Sequence, residues 1–321
     1  MRTEYRRPVA VITGASRGLG FLLARGLAER GHDLVLNARS AEGLDVARRD
    51  LETRGARVEA VPADVSVPAE AQRLVDTAVE HFGRLDVLVG NAGTIQVGPA
   101  AAMLAEDYAT AMDVMYWGLV HSTLASLPVL RRHGGRILAV TSVGGKLPAP
   151  HLLPYTAAKH AAVGFAEGLR VEAARDGVSV TVGVPGLMRT GSPRNALFTG
   201  DRAAEYRWFA VADSLPLLSM DAERAARKLI DATLRGRPEI ILTPAAKLGV
   251  RVHGLAPATT LRVLAGVNQL LPSTVDPGPR PGHTTSSPRW FDMLTGLTRS
   301  AAQRWHQHDD KTAHHGEPAR P

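Results

Sequence analysis

The run Val9-Ala10-Val11-Ile12 leads directly into Thr13-Gly14-Ala15-Ser16-Arg17-Gly18-Leu19-Gly20, and residues of helical period follow at once. A short apolar strand, a glycine turn and the opening of a helix, in that order, begin a βαβ unit and commit the chain to a parallel sheet with helical crossovers. The theme repeats. Apolar runs bounded by Gly, Asn or Asp predict seven strands at 9–13, 34–37, 58–61, 87–90, 136–140, 178–184 and 240–242, and helical periods predict helices near 18–30, 41–54, 68–82, 106–132, 154–175 and 221–235. Strands buried on both faces read as continuous apolar runs, as Val87-Leu88-Val89 and Ile137-Leu138-Ala139-Val140 do.

With 321 residues, 45% of them hydrophobic, the chain can bury a full core. We expect one α/β domain over 1–244, a partly helical extension over 245–305 and a disordered polar tail over 306–321. The change of regularity falls after Thr243-Pro244. Residues 245–271 are apolar and helix-permissive but broken by Gly249, Gly254 and Pro257, residues 272–288 are rich in Pro, Gly and Ser, and a short helix is expected near 290–305.

Composition excludes several functions. The chain has no cysteine, which rules out disulfides, thiolate nucleophiles and cysteine-held metal and fits a reducing cytoplasm. The net charge of +7 raises the question of nucleic acid, yet residues 245–321 hold nine Lys/Arg against five Asp/Glu, leaving the body close to balanced. No helix-turn-helix, zinc or RNA-binding signature is present, so no nucleic-acid partner is expected. Arg2, Arg6 and Arg7 flank no apolar leader, and Arg251 and Arg262 interrupt the longest apolar stretch of the extension, so neither a secretion signal nor a membrane span is expected. The expected location is cytoplasmic, with the basic, apolar stretch 245–271 able to cover an active-site mouth, join a second subunit or rest on a membrane surface. A homo-oligomer is the expected assembly.

Tyr155 and Lys159 stand four residues apart, slightly more than one helical turn, so phenol and ammonium project from one face. A tyrosine of ordinary pKa, about 10, is a poor acid or base at neutral pH, and a cation alongside favours its phenolate. Ser142, thirteen residues upstream of Tyr155, would add a hydroxyl donor.

The glycine turn at 13–20 lets a backbone approach a pyrophosphate while the helix N-terminus offers free amides and a partial positive charge. Which dinucleotide fits is decided after the second strand. A ribose 2′-hydroxyl asks for a carboxylate there and a 2′-phosphate for arginine, and Asn37-Ala38-Arg39-Ser40 supplies Arg39, with Arg17 available from the loop. The expected cofactor is NADP(H) rather than NAD(H).

With this loop, Asn91-Ala92-Gly93 after the fourth strand and Ser142/Tyr155/Lys159 in place, the chain resembles the short-chain dehydrogenase/reductase family over residues 8 to about 243. The resemblance implies a Rossmann-like, doubly wound parallel sheet of about seven strands, and an NADP-dependent oxidoreductase working between a ketone and an alcohol. It also implies roles for individual positions. Gly14, Ser16, Arg17, Gly18, Leu19, Gly20 and Arg39 would hold the phosphates, Asp64 and Val65 the adenine, and Asn91, Ala92 and Gly93 the turn beside the cofactor. Pro185, Gly186 and Thr190 would place the nicotinamide carboxamide. Tyr155 would be the general acid in reduction and the base in oxidation, Lys159 would lower its pKa and hold the nicotinamide ribose, and Ser142 would hold the substrate oxygen. A non-catalytic NADP-binding regulator of the same fold is the alternative.

One position departs from the family pattern. The family's fourth catalytic position, an asparagine three residues ahead of a glycine, is Met115 before Gly118. A thioether cannot donate as an amide does, so the expected proton relay to Lys159 would have to use the Met115 main chain. Residues 187–220 fall where the family carries its variable substrate lid, and they include Phe198, Tyr206, Trp208, Phe209, Leu215, Leu217 and Leu218. Such a lid suits a hydrophobic substrate, and the same side chains would serve equally to pack it onto the body. The loop 144–153, with Lys146 and His151, would form the opposite wall.

Overall fold

A computed structural model of the chain describes residues 7–214, 219–284 and 304–306. Of the tail expected over 306–321 only His306 is described, and it is held against Phe21 and Asp50, whereas residues 307–321, most of the expected helix at 290–305 and lid residues Leu215, Leu217 and Leu218 lie outside the described residues. Seven strands form one sheet: β1 (Val9–Ile12), β2 (Asp33–Ala38), β3 (Val58–Pro62), β4 (Val87–Gly90), β5 (Arg136–Val140), β6 (Ser179–Val184) and β7 (Glu239–Ile241). Their order is β3-β2-β1-β4-β5-β6-β7 and every pairing is parallel. Chain order reverses between β1 and β4, and the carboxyl ends of those two strands form the crevice where open α/β sheets receive ligands.

The connecting helices are α1 (Gly18–Ala28), α2 (Ala41–Thr53), α3 (Pro68–Phe82), α4 (Ala105–Met112), α5 (Gly118–Leu130), α6 (Leu153–Ala173), α7 (Arg202–Ser214) and α8 (Ala222–Leu234). Two apolar layers result. On one face of the sheet Leu23, Leu27, Leu44, Leu51, Leu229 and Ile230 of α1, α2 and α8 close over Ile12, Leu34 and Leu138. On the other, Leu74, Ala78, Leu119, Leu127, Ala162 and Ala166 of α3, α5 and α6 close over Val11, Val35, Leu88 and Ile137. Alternate residues of the central strands therefore enter opposite layers, which is why β1 and β4 read as continuous apolar runs.

The predicted helix at 106–132 is interrupted. Residues Asp113–Trp117 form a π-helical turn, closed by the Gly118 amide on the Asp113 carbonyl, and it separates α4 from α5. Single π turns inside helices re-aim side chains and gather at functional sites. The extension forms α9 (Pro244–Leu255) and α10 (Pro257–Asn268), each starting with Pro at its first position. Among the described residues no helix is long and apolar enough to cross a membrane.

Candidate active site

The nucleotide-side loop is tied together by one threonine and one asparagine. Thr13 Oγ1 accepts from the amides of Asn91 and Ala92 at 2.9 and 3.0 Å, and Asn91 Nδ2 donates to the Thr13 and Gly14 carbonyls at 3.1 Å each. These bonds clamp the ends of β1 and β4 across the switch point. Gly14 has φ +65°, and a Cβ there would come within 2.9 Å of Ala92 Cα. At Gly20 a Cβ would lie 2.0 Å from the Gly14 carbonyl oxygen, so both glycines are required by backbone approach.

The second strand meets the same loop. The Ala15 amide donates to Asn37 O at 2.7 Å, and Ser16 lies against Gly43 in the first turn of α2, which Ser40 caps through its hydroxyl. Arg39 is exposed just past β2, and Arg17 precedes α1 in extended conformation. Asp64 folds its own loop, accepting from the Ser66 amide and hydroxyl at 2.9 and 2.7 Å, with Val65 buried behind it. Asn37 carries the loop after β3 by donating to Ala63 O at 2.9 Å.

Ser142, Tyr155 and Lys159 come together at the end of β5. Tyr155 lies in the first turn of α6 and Lys159 one turn on. The Ser142 hydroxyl hydrogen-bonds the phenol, and Lys159 Nζ stands 5.8 Å from the phenol ring centroid. The turn Val143–Gly145 holds them in register. A Cβ at Gly145 would lie 2.5 Å from Lys159 O and one at Gly144 3.2 Å from the Tyr155 ring, so the two glycines allow this turn to lie flat on α6. The Val143 amide donates to Pro185 O at 2.8 Å, which ties the turn to the segment after β6. There Gly186 packs under Thr243, where a Cβ would meet Oγ1 at 2.7 Å, and buried Thr190 accepts from the Ser192 amide at 3.2 Å.

The electrostatics differ from the sequence expectation. Burial raises the Tyr155 hydroxyl pKa, and the Ser142 hydrogen bond opposes that rise. Burial also brings Lys159 down to about 8, with its ammonium donating to Val140 O at 2.9 Å and only 5% of the residue exposed. Burial is the leading cause of both shifts, and Lys159 directs its hydrogen bond to the main chain.

Met115 lies on the π turn, 3% exposed, packed with Ala111, Ala158 and Tyr155 and with its Cγ and Sδ facing Gly93. It fills the space with sulfur and methylene where the family carries an amide. In the lid, Phe198 and Phe209 are buried with Val97 and Ala196, flanked by Tyr206 and Trp208, so the aromatic set packs the lid onto the loop after β4. His151 joins the two walls. Its Nδ1 is 2.8 Å from Glu205 Oε1 on α7, Glu205 Oε2 accepts from Trp208 Nε1 at 2.6 Å, and the pair is almost wholly buried. Lys146 pairs with both Glu167 and Glu239, the latter at 2.7 Å, and so anchors the loop to α6 and β7.

Sequence reasoning missed Gly144 and Gly145 as positioning residues, although a Ser-x-Gly-Gly run straight after a strand is a signal of close backbone approach. It also missed Asp213, a buried carboxyl whose Oδ1 and Oδ2 neighbourhood supplies a hydrogen bond from the Met188 amide and leaves Oδ2 without a partner. No local sequence signal marks it.

The chain belongs to the short-chain dehydrogenase family, whose "short chain dehydrogenase" model matches residues 8–197. Among individual proteins, it is 39% identical over 197 residues to 11-beta-hydroxysteroid dehydrogenase 1A of Arabidopsis thaliana, a match covering 60% of this chain and 56% of that one. The chain thus spans little more than half the length of that curated relative. A short-chain dehydrogenase/reductase of Burkholderia phymatum, solved with NAD, superimposes with a TM-score of 0.72 at 28% identity, covering 86% of this chain and 99% of the other. An alcohol dehydrogenase of Thermococcus sibiricus, solved with 5-hydroxy-NADP, gives 0.61 at 28% identity and covers 73% and 95%.

Proposed function

We propose that this chain is an NADP(H)-dependent oxidoreductase that interconverts a hydrophobic ketone and its alcohol, with Ser142, Tyr155 and Lys159 as its catalytic residues and 1–244 as the catalytic unit. The observation that carries the reading is the buried cluster itself: two hydroxyls hydrogen-bonded to each other beside a lysine, at the end of β5 next to the switch point of a sheet whose solved likenesses were obtained with NAD or an NADP derivative. The loop fits a dinucleotide, because Gly14 and Gly20 let the turn close tightly on itself and on Ala92 as it enters the N-terminus of α1, the end of a helix that favours an anion. Arg39 and Arg17 favour a 2′-phosphate at the end of β2, where no carboxylate stands.

A bound nicotinamide would supply or accept the hydride. As negative charge grows on the substrate oxygen, the Tyr155 hydroxyl gives up its proton and Ser142 donates a hydrogen bond to the same oxygen. Tyr155 starts as the neutral acid that its burial enforces, the form required for reduction. Lys159, with its ammonium held on Val140 O, adds positive charge that favours the phenolate left behind. The π turn frees backbone groups around Met115 for the proton relay that the missing asparagine side chain would otherwise complete.

The test is a panel of ketones and alcohols followed by nicotinamide absorbance with NADPH and with NADH. Expected are turnover of apolar ketones, preference for NADPH, and loss of at least about a thousandfold in kcat for Tyr155→Phe with NADPH affinity kept. A Tyr155→Phe variant indistinguishable from wild type would favour the non-catalytic alternative, and a clear NADH preference contradicts the role given to Arg17 and Arg39.

For the extension we propose peripheral contact with an anionic membrane surface. Leu248, Leu255 and Val263 on α9 and α10 are 64%, 88% and 61% exposed, and among the described residues of the two helices only Ala246 is buried. No acidic residue lies between Glu239 and Asp276, whereas Lys247, Arg251 and Arg262 do. Gly249 packs against Leu147 and Ala246 against Gly186, so this surface adjoins the active-site mouth. Sedimentation with vesicles containing phosphatidylserine tests it, and binding that Leu255→Glu leaves unchanged would refute it.

A further inference from the structure

The segment Arg304–His306, at the end of the extension, reaches the N-terminus of α1. The Gly18 amide donates to the Trp305 carbonyl at 2.9 Å. The Trp305 indole is 9% exposed and enters the core layer formed by α1, α2 and α8, and the Arg25 guanidinium lies 5.0 Å over its ring. The His306 ring meets Phe21 edge-on at 4.5 Å, and its Nε2 is 3.3 Å from Asp50 Oδ2 on α2. His306 adopts φ +56°, a left-handed conformation that costs a non-glycine residue energy and persists where surrounding contacts hold it. Main-chain hydrogen bond, buried indole, cation over ring, ring on ring and the polar contact of His306 with Asp50 are five separate contacts converging on one spot of the fold.

That spot is the one the cofactor needs. The first amides of α1 point out of the helix with the positive end of its dipole, and an anion bound at the glycine loop would take its hydrogen bonds from them. The peptide oxygen of Trp305 is a neutral stand-in for such an anion. It satisfies the Gly18 donor, while the indole packs under Arg25 of α1 and the imidazole bridges from Phe21 of α1 to Asp50 of α2.

We propose that the Trp305–His306 segment is an internal competitor of the dinucleotide, holding the protein in a self-blocked state that the cofactor must displace. The inference rests on the reading of the glycine loop as the cofactor's cradle. A diphosphate carries full charges where the carbonyl carries a partial one, so the helix terminus prefers the cofactor once its concentration is high enough. The apparent dissociation constant is then the intrinsic one divided by the open fraction, and a protein closed in nine molecules of ten binds about tenfold more weakly than its open form. The device sets the cofactor concentration at which the enzyme switches on without touching Ser142, Tyr155 or Lys159.

The test is calorimetric titration of NADP+ into the full chain, Trp305→Ala and His306→Ala. Trp305→Ala is expected to bind about tenfold more tightly and His306→Ala to shift in the same direction by less. In parallel, the emission of Trp305, isolated by subtracting the Trp305→Phe spectrum, is expected to move to the red as NADP+ is added, because the ring leaves the core for water. Equal or weaker affinity in Trp305→Ala overturns the proposal. Should that variant fail to fold, His306→Ala and the emission decide the matter, and an emission unmoved at saturation overturns it. Absence of binding to all three proteins overturns the cradle reading and the competitor with it, whereas equal binding to all three removes the competitor alone.

Discussion

Replacing Lys159 by methionine should stabilise the folded protein while leaving it unable to turn over substrate. Lys159 is 5% exposed and burial brings its ammonium from 10.5 down to about 8. That gap corresponds to about 3 kcal/mol carried against the folded state at neutral pH, at 1.36 kcal/mol per pH unit. Methionine is close in length and apolar, so it escapes this cost. It also loses the 2.9 Å bond to Val140 O, worth about 1 kcal/mol, which leaves a net gain of about 2 kcal/mol. For a domain of this size such a gain raises Tm by about 4–8 °C. The pH dependence carries the sharper test. Between about 8 and 10.5 the unfolded lysine holds a proton that the folded one has released, so wild-type stability climbs with pH across that window and the advantage of Lys159→Met shrinks. Urea unfolding of both proteins at pH 7, 8, 9 and 10 reads the difference. A variant less stable than wild type at pH 7, or a difference that stays flat from pH 7 to 10, would refute the desolvation argument.

Asp213 reports burial with the opposite sign: its carboxyl is 2% exposed and raised from 3.8 to about 8. The folded state keeps a proton that the unfolded chain loses, so stability falls as pH rises from about 4 towards 8, and Asp213→Asn should abolish that slope and gain a few kcal/mol at pH 8 by thermal unfolding. Glu205→Ala should cost about 3–5 kcal/mol in the same assay, because it leaves the buried His151 ring and the Trp208 indole N–H without their acceptor. Gly145→Ala should lower kcat and stability together, since its methyl would enter the Lys159 carbonyl at 2.5 Å; unchanged kinetics would show that the turn can move. Met115→Asn should keep or raise activity, and a large loss would show that the main-chain relay is wrong.

The central strands were legible because β1, β2, β4, β5 and β6 are buried along most of their length, and β4 and β5 match their predicted bounds residue for residue. That Ser142, Tyr155 and Lys159 meet was equally legible, since Tyr155 and Lys159 lie within one helix and Ser142 at a strand end, where local periodicity fixes direction. What escaped was made by distant partners. The two-residue strands Gln96–Val97, Leu197–Phe198 and Arg280–Pro281 exist only through each other, and α7 has apolar and charged residues interleaved too evenly to announce a buried face. The break at Asp113–Trp117 has no proline to mark it, and packing of Gly118 on Val65 accompanies it from outside the helix. The raised Tyr155 pKa was not legible either, because spacing shows which groups are neighbours but not how much water each loses.

The clasp of Thr13 by Asn91 and Ala92 has a consequence for the birth of the protein. β1 lies between β2 and β4 in the sheet, so this strand waits for residues some eighty positions later before its second edge is covered. At about 5–20 residues per second the nascent chain therefore presents Val9–Ile12 as an open apolar edge for several seconds. The glycine turn is among the last parts of the amino-terminal half to close, and any chaperone that attends this chain has most reason to hold it during that interval.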